Sequence, residues 1–165
     1  MRRLAIASVA LLAFATLAGA QPKPAEHAAE HRVALVIGNG AYVGAGALRN
    51  PANDARGMSK ILRDQGFLVI EHIDADMRTM RRAVVEFGEK MREGGVGLLY
   101  YSGHGMQVNG RNYLIPVDAE IPSEAYIAAE TLEVDSVLGQ MDAARSRVNV
   151  VILDACRNNP YARRF

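Results

Sequence analysis

Val96-Gly97-Leu98-Leu99-Tyr100-Tyr101-Ser102-Gly103-His104-Gly105 and Val148-Asn149-Val150-Val151-Ile152-Leu153-Asp154-Ala155-Cys156-Arg157 are two apolar runs, each leading into one chemically able side chain. Short apolar runs rich in β-branched and aromatic residues read as strands buried on both faces, the kind that fill the middle of a parallel sheet. Working outward, residues 32–37 form a similar first strand, broken by Gly38. Pro51 opens a helix in which Ala55, Met58, Ile61 and Leu62 share a face, and Gly66 stops it. Residues 67–73 give the second strand. Met77, Met80, Val84, Phe87 and Met91 recur every three or four residues, which predicts a long amphipathic helix ended by Gly94-Gly95. The third strand covers residues 96–101. Val108-Asn109-Gly110-Arg111 is a tight hairpin signal, and a polar loop follows it. Val134, Val137, Leu138 and Met141 mark another helix before the fourth major strand, residues 148–153. Strand and helix alternate, so the expected fold class is α/β, a mainly parallel sheet with helices on both faces.

Residues 1–20 have Arg2 and Arg3 in front, an apolar stretch from Leu4 to Leu17, and Ala18-Gly19-Ala20 as a small-residue cleavage site. This is the pattern of a secretory signal peptide, so the expected location is exported, periplasmic or secreted. The apolar stretch is shorter than the roughly 20 residues a spanning helix needs, so no membrane association is expected after cleavage. Residues 21–31, rich in Pro, Ala and Glu, read as a polar linker. The remaining 32–165 are enough for one domain with one core. A formal charge of +1 and an aromatic content of 6% give no footprint for nucleic-acid binding.

Cys156 is the only cysteine, so it has no intramolecular disulfide partner. In an exported protein a solitary cysteine is either a buried small hydrophobe or a reactive thiol. Reactive groups in such sheets collect at the carboxyl ends of the strands. His104 and Cys156 each lie three residues past a strand, so neighbouring strands would bring them to the same edge. A thiolate is the attacking species in cysteine-dependent peptide hydrolysis, and an imidazole both generates it and protonates the leaving amine. Gly105 leaves its N–H open to a developing oxyanion, and the Cys156 N–H is the second donor. The bland alternative is a loop histidine and a packed thiol.

Four segments carry a family resemblance: Val33-Ala34-Leu35-Val36-Ile37-Gly38-Asn39, Leu48-Arg49-Asn50-Pro51-Ala52-Asn53-Asp54-Ala55, Tyr101-Ser102-Gly103-His104-Gly105 and Asp154-Ala155-Cys156-Arg157. The histidine precedes the cysteine by 52 residues, which is caspase-type spacing. From residue 31 to about 161 the chain resembles the large-subunit region of caspase-like cysteine peptidases, in particular the metacaspase-related bacterial branch. The resemblance implies a three-layer α/β/α fold and cysteine endopeptidase activity. His104 would be the general acid/base, Cys156 the nucleophile, and the amides of Gly105 and Cys156 the oxyanion hole.

Asp154 falls two residues before Cys156, on the same face of an extended strand. The resemblance places it in the pocket for the residue preceding the scissile bond, where Asp goes with cleavage after Arg or Lys and Gln with cleavage after Asp. A turn-capping Asp is the structural alternative. Residues 49–54 belong to a loop that approaches this pocket in relatives. Arg157 is followed by Asn158-Asn159-Pro160 where metacaspases have Ser-Gly, so a different turn is expected there.

The resemblance implies peptide or protein substrates, no cofactor and no metal in the chemistry; calcium activation, which many metacaspases show, is the one metal dependence it raises. It also implies a small-subunit region that would follow residue 165 and add strands beside the fourth. Without it, the expected partners are a small-subunit segment or a second copy joining the last strand. A non-catalytic caspase-like interaction module, or an inactive truncated fragment, is the competing functional class.

Two motifs imitate other chemistries. Gly38-Asn39-Gly40-Ala41-Tyr42-Val43-Gly44 follows a strand like a dinucleotide fingerprint, with Glu71 as a ribose ligand, but Gly46 and Asn50-Pro51 interrupt the helix that must follow. His27-Ala28-Ala29-Glu30-His31 matches a zinc peptidase pattern but sits in the linker, where no packed helix can hold a metal. Tyr100 and Tyr101 are expected to pack in the core and at the strand end.

Overall fold

The computed structural model describes residues 31–156, the last of them by its backbone alone. The expected signal peptide (residues 1–20), the linker up to residue 30 and the Asn158-Asn159-Pro160 turn lie outside it.

Four parallel strands form the centre. β1 (Arg32–Gly38) lies between β2 (Leu68–Ile73) and β3 (Val96–Val108), and β6 (Val148–Cys156) pairs with the other side of β3. β1 is buried along nearly all its length, as an interior parallel strand must be. Helix α1 (Pro51–Asp64) covers one face, where Ala55 and Leu62 meet Ala34, Val36, Leu98 and Tyr100. Helices α2 (Met77–Lys90) and α4 (Val134–Ala143) cover the other, where Met80, Phe87, Val137 and Met141 meet Val33, Leu35, Ile37 and Leu99. Alternate residues of one strand thus enter opposite cores, and the fold is a three-layer α/β/α.

Three local readings need correction. β3 does not end at Tyr101 but runs on to Val108, pairing with β1 and β6 first and then, antiparallel, with β4 (Arg111–Leu114). β6 likewise continues past Leu153 to Cys156, because β3 keeps offering it a ladder. On α1 the buried stripe is Pro51, Ala55, Ser59 and Leu62, which rotates Ile61 out to 57% exposure. The polar loop contains a 3-10 turn (Glu124–Tyr126), a short helix α3 (Ile127–Glu130) and β5 (Leu132–Glu133), which pairs with β4. The hairpin after Val108 is as expected: Asn109 and Gly110 have φ of 50° and 81°, and Val108 pairs with Arg111. Positive φ at both central residues is the type I′ geometry whose twist matches the strands.

Gly38 stays in the strand and is small for a packing reason. A Cβ there would come within 2.4 Å of the Pro51 carbonyl oxygen, where α1 crosses β1. Asn39 then ties the strand ends together. Its side-chain amide donates to the Ile115 and Ala75 carbonyls at 3.1 and 3.3 Å, and its oxygen accepts from the Ala75 N–H at 2.9 Å. Asn39 is fully buried, so Asn39→Ala would take the acceptor from the Ala75 N–H and one donor each from the Ala75 and Ile115 carbonyls, which keep the Val117 N–H and the Tyr101 hydroxyl. A loss of about 2–4 kcal/mol is expected in urea unfolding. A change under about 0.5 kcal/mol would mean that water replaces the amide.

Candidate active site

The fold brings the two chemically able residues side by side. His104 and Cys156 are paired in register at the end of the parallel β3–β6 ladder, inside the strands rather than in loops beyond them. Register here is a matter of backbone hydrogen bonding, so it places the main chains one strand spacing apart, about 5 Å.

His104 is half-buried and held on every side. Its Nε2 lies 2.9 Å from the Gly46 carbonyl oxygen. A carbonyl only accepts, so Nε2 carries the proton and a neutral ring has its lone pair on Nδ1. The Tyr42 ring packs against the imidazole with centroids 4.5 Å apart, inclined at 51°. The His104 N–H donates to the Tyr42 hydroxyl at 2.7 Å, and its carbonyl accepts from the Tyr101 hydroxyl at 2.6 Å and from the Ile115 N–H at 3.1 Å. Across a trans peptide a C=O and the following N–H point in opposite directions. The Gly105 N–H is therefore turned away from Ile115 and β4.

Beside this edge opens a cleft of about 460 Å³ lined by Arg49, Pro51, Asp54, Ser102, Gly103 and Asp154, among others. Asp154 comes from the end of β6 and Asp54 from the first turn of α1. Both carboxylates are solvent-exposed, and both act on the same neighbour. Burial first, then the negative charges of Asp154 and Asp54, push the Tyr100 phenol above its ordinary pKa, against a hydrogen bond from Ser102 that lowers it. Two acids and one base, Arg49, line the cleft, so its field favours a cation.

Sequence reading missed Gly46, Tyr42 and Asp54. Tyr42 and Gly46 lie in the glycine-rich segment that imitates a nucleotide loop. No helix starts there; α1 begins only at Pro51, and Glu71 is bound by Arg63 at 3.0 Å. Asp54 stood unresolved within residues 49–54, and only its place at the start of α1 brings it to the cleft. Tyr101 is fully buried, as expected of a packing residue, but its hydroxyl also serves the site. Among the described residues no group of three or more His, Cys, Asp or Glu could hold a metal ion. His27 to Glu30 of the zinc-like pattern lie outside those residues.

Comparison with known proteins places this geometry. Residues 31–164 match the family model of the caspase domain, and the chain belongs to that family. It is 37% identical over 129 residues to human mucosa-associated lymphoid tissue lymphoma translocation protein 1, and 36% identical to the mouse homologue. Each match covers 78% of this chain but only 15% of the relative, so the chain corresponds to a small part of those proteins. Among solved structures, protein GSU0716 from Geobacter sulfurreducens superposes with a TM-score of 0.59 at 23% identity, over 76% of this chain and 50% of that one. That likeness concerns the fold alone. The chain therefore carries the fold of a caspase-family protease.

Proposed function

We propose that this protein is a cysteine endopeptidase that cuts after Arg or Lys, with His104 and Cys156 as its dyad. The observation that carries the reading is the in-register pairing of His104 with Cys156 beside a cleft bearing Asp54 and Asp154. The Cys156 thiol gives its proton to His104 Nδ1, and the sulfur attacks the substrate carbonyl carbon. The imidazolium returns the proton to the leaving nitrogen as the C–N bond breaks. Water, deprotonated by the same imidazole, then hydrolyses the thioester. The amides of Gly105 and Cys156 stabilise the oxyanion in both steps. Asp154 and Asp54 receive the guanidinium or ammonium of the residue before the scissile bond. The protein groups named supply this chemistry without a cofactor.

Two further proposals follow from the edge and the N-terminus. Val148 and Ile152 on β6 are 37% and 38% exposed, and among the described residues β6 pairs only with β3. We propose that a small-subunit strand, or β6 of a second copy, completes the cleft there. Residues 1–20 direct export. Among the described residues no helix is long and apolar enough to cross a membrane.

The test is a set of fluorogenic peptides that differ only in Arg, Lys, Asp or Gln before the scissile bond. Hydrolysis of the Arg and Lys peptides, absent in Cys156→Ala, is expected. If the chain hydrolyses none of them, alone or with a small-subunit segment supplied in trans, the interaction-module reading replaces the enzyme.

A further inference from the structure

We infer that Tyr42 and Tyr101 are positioning residues for His104, acting through a closed hydrogen-bond ring around its main chain. This rests on the reading of His104 as the acid/base of the dyad. The ring has a determined direction. The His104 N–H donates to the Tyr42 hydroxyl at 2.7 Å, so that oxygen accepts. The Tyr101 hydroxyl has one proton, and it faces two carbonyls, His104 at 2.6 Å and Ile115 at 3.0 Å, which can only accept. The remaining contact, 3.0 Å between the two phenol oxygens, must then be Tyr42 donating to Tyr101. The circuit runs His104 N–H, Tyr42, Tyr101, His104 C=O, each bond polarising the next.

The flanking residues explain why such a device is needed. His104 stands between Gly103 and Gly105, the least restrained setting a chain offers. Gly103 has no freedom to be anything else. Its φ is +156°, and a Cβ there would lie 2.5 Å from the Tyr42 hydroxyl and 2.7 Å from that of Tyr101. Glycine at 103 thus makes room for both phenols, which restore the restraint that the glycines remove. Tyr42 acts a second time through its ring, which backs the imidazole, while Gly46 from the same loop takes the Nε2 proton. Tyr42 is 7% exposed and Tyr101 fully buried, so water does not compete for these bonds.

The experiment uses the full chain and two independent readouts. Nitrogen-15 NMR of the His104 imidazole reports which ring nitrogen is protonated, and iodoacetamide labelling of Cys156 reports the thiol. In the wild type at neutral ring charge the Nε2–H form should dominate. Tyr42→Phe, which keeps the ring and deletes the acceptor, should mix the two tautomers and slow labelling about threefold to tenfold, with the far-ultraviolet spectrum unchanged. Tyr101→Phe should do the same more weakly, since the Ile115 N–H still holds the His104 carbonyl. A Tyr42→Phe protein whose His104 signals match the wild type overturns the inference, whatever the labelling does. If His104→Ala leaves labelling unchanged, the dyad fails, and the tautomer populations still decide the role of the phenols. Should Tyr42→Phe not fold, Tyr101→Phe carries the same decision.

Discussion

Replacing His104 by Ala is expected to slow alkylation of Cys156 at pH 7 by about tenfold and to cut endopeptidase turnover by about a hundredfold to ten-thousandfold. An unassisted thiol is a few per cent thiolate at neutral pH, so the imidazole can raise the attacking population by about tenfold or more, partly offset by lower intrinsic nucleophilicity. Turnover falls further because the leaving amine also loses its acid. The variant should remain folded, since the hydrogen bonds that Tyr42, Tyr101 and Ile115 make are to the His104 backbone and survive the loss of its ring. Labelling kinetics and thermal melting of the same samples check both halves. An unchanged labelling rate in a folded variant would show that the dyad is not assembled.

The second large effect concerns Asp54 and Asp154. Asp154→Gln is expected to lower kcat/KM for Arg and Lys peptides by about tenfold, and the double replacement with Asp54→Asn by about a hundredfold. Each carboxylate alone is exposed and screened, which keeps the single effect moderate. The phenol of Tyr100, which feels both carboxylates, adds a spectroscopic check. Tyr100 is held above its ordinary phenol pKa partly by these two charges, so removing either should let it ionise at lower pH in an ultraviolet titration. Sign and site agree: fewer negative neighbours favour the phenolate. A wild-type preference for Asp before the scissile bond would sink the specificity reading.

Much of this protein is written locally. The continuous apolar runs that became β1, β3 and β6 needed only the rule that interior parallel strands are hydrophobic on both faces. Asn109-Gly110 needed only its tolerance of positive φ. The two motifs that end the runs, with a lone cysteine, were enough to point to His104, Cys156 and the family. α1 shows the limit of such reading. Its apolar residues are present, but which stripe faces the sheet depends on where Pro51 docks on Gly38, and Ile61 turned outward as a result.

What tertiary structure alone decided is the site's assembly. Composition marks residues 102–104 as a place for a strand to stop, because Ser, Gly and His lack strand-forming character. The ladder to β6 and the hairpin with β4 carry β3 through them, since unpaired backbone groups in the interior cost more than weak propensity gains. The same holds for the loop that supplies Tyr42 and Gly46. Their bonds to His104 span 62 and 58 residues of chain, so no pattern within a window of sequence could announce them. Asp54 reaches the cleft for the same reason, through the packing of α1 on β1. Periodicity and turn chemistry are set by neighbours along the chain and so are legible in it. The tautomer of His104, the register that seats it opposite Cys156 and the second carboxylate are set by neighbours across space, and the fold had to exist before they did.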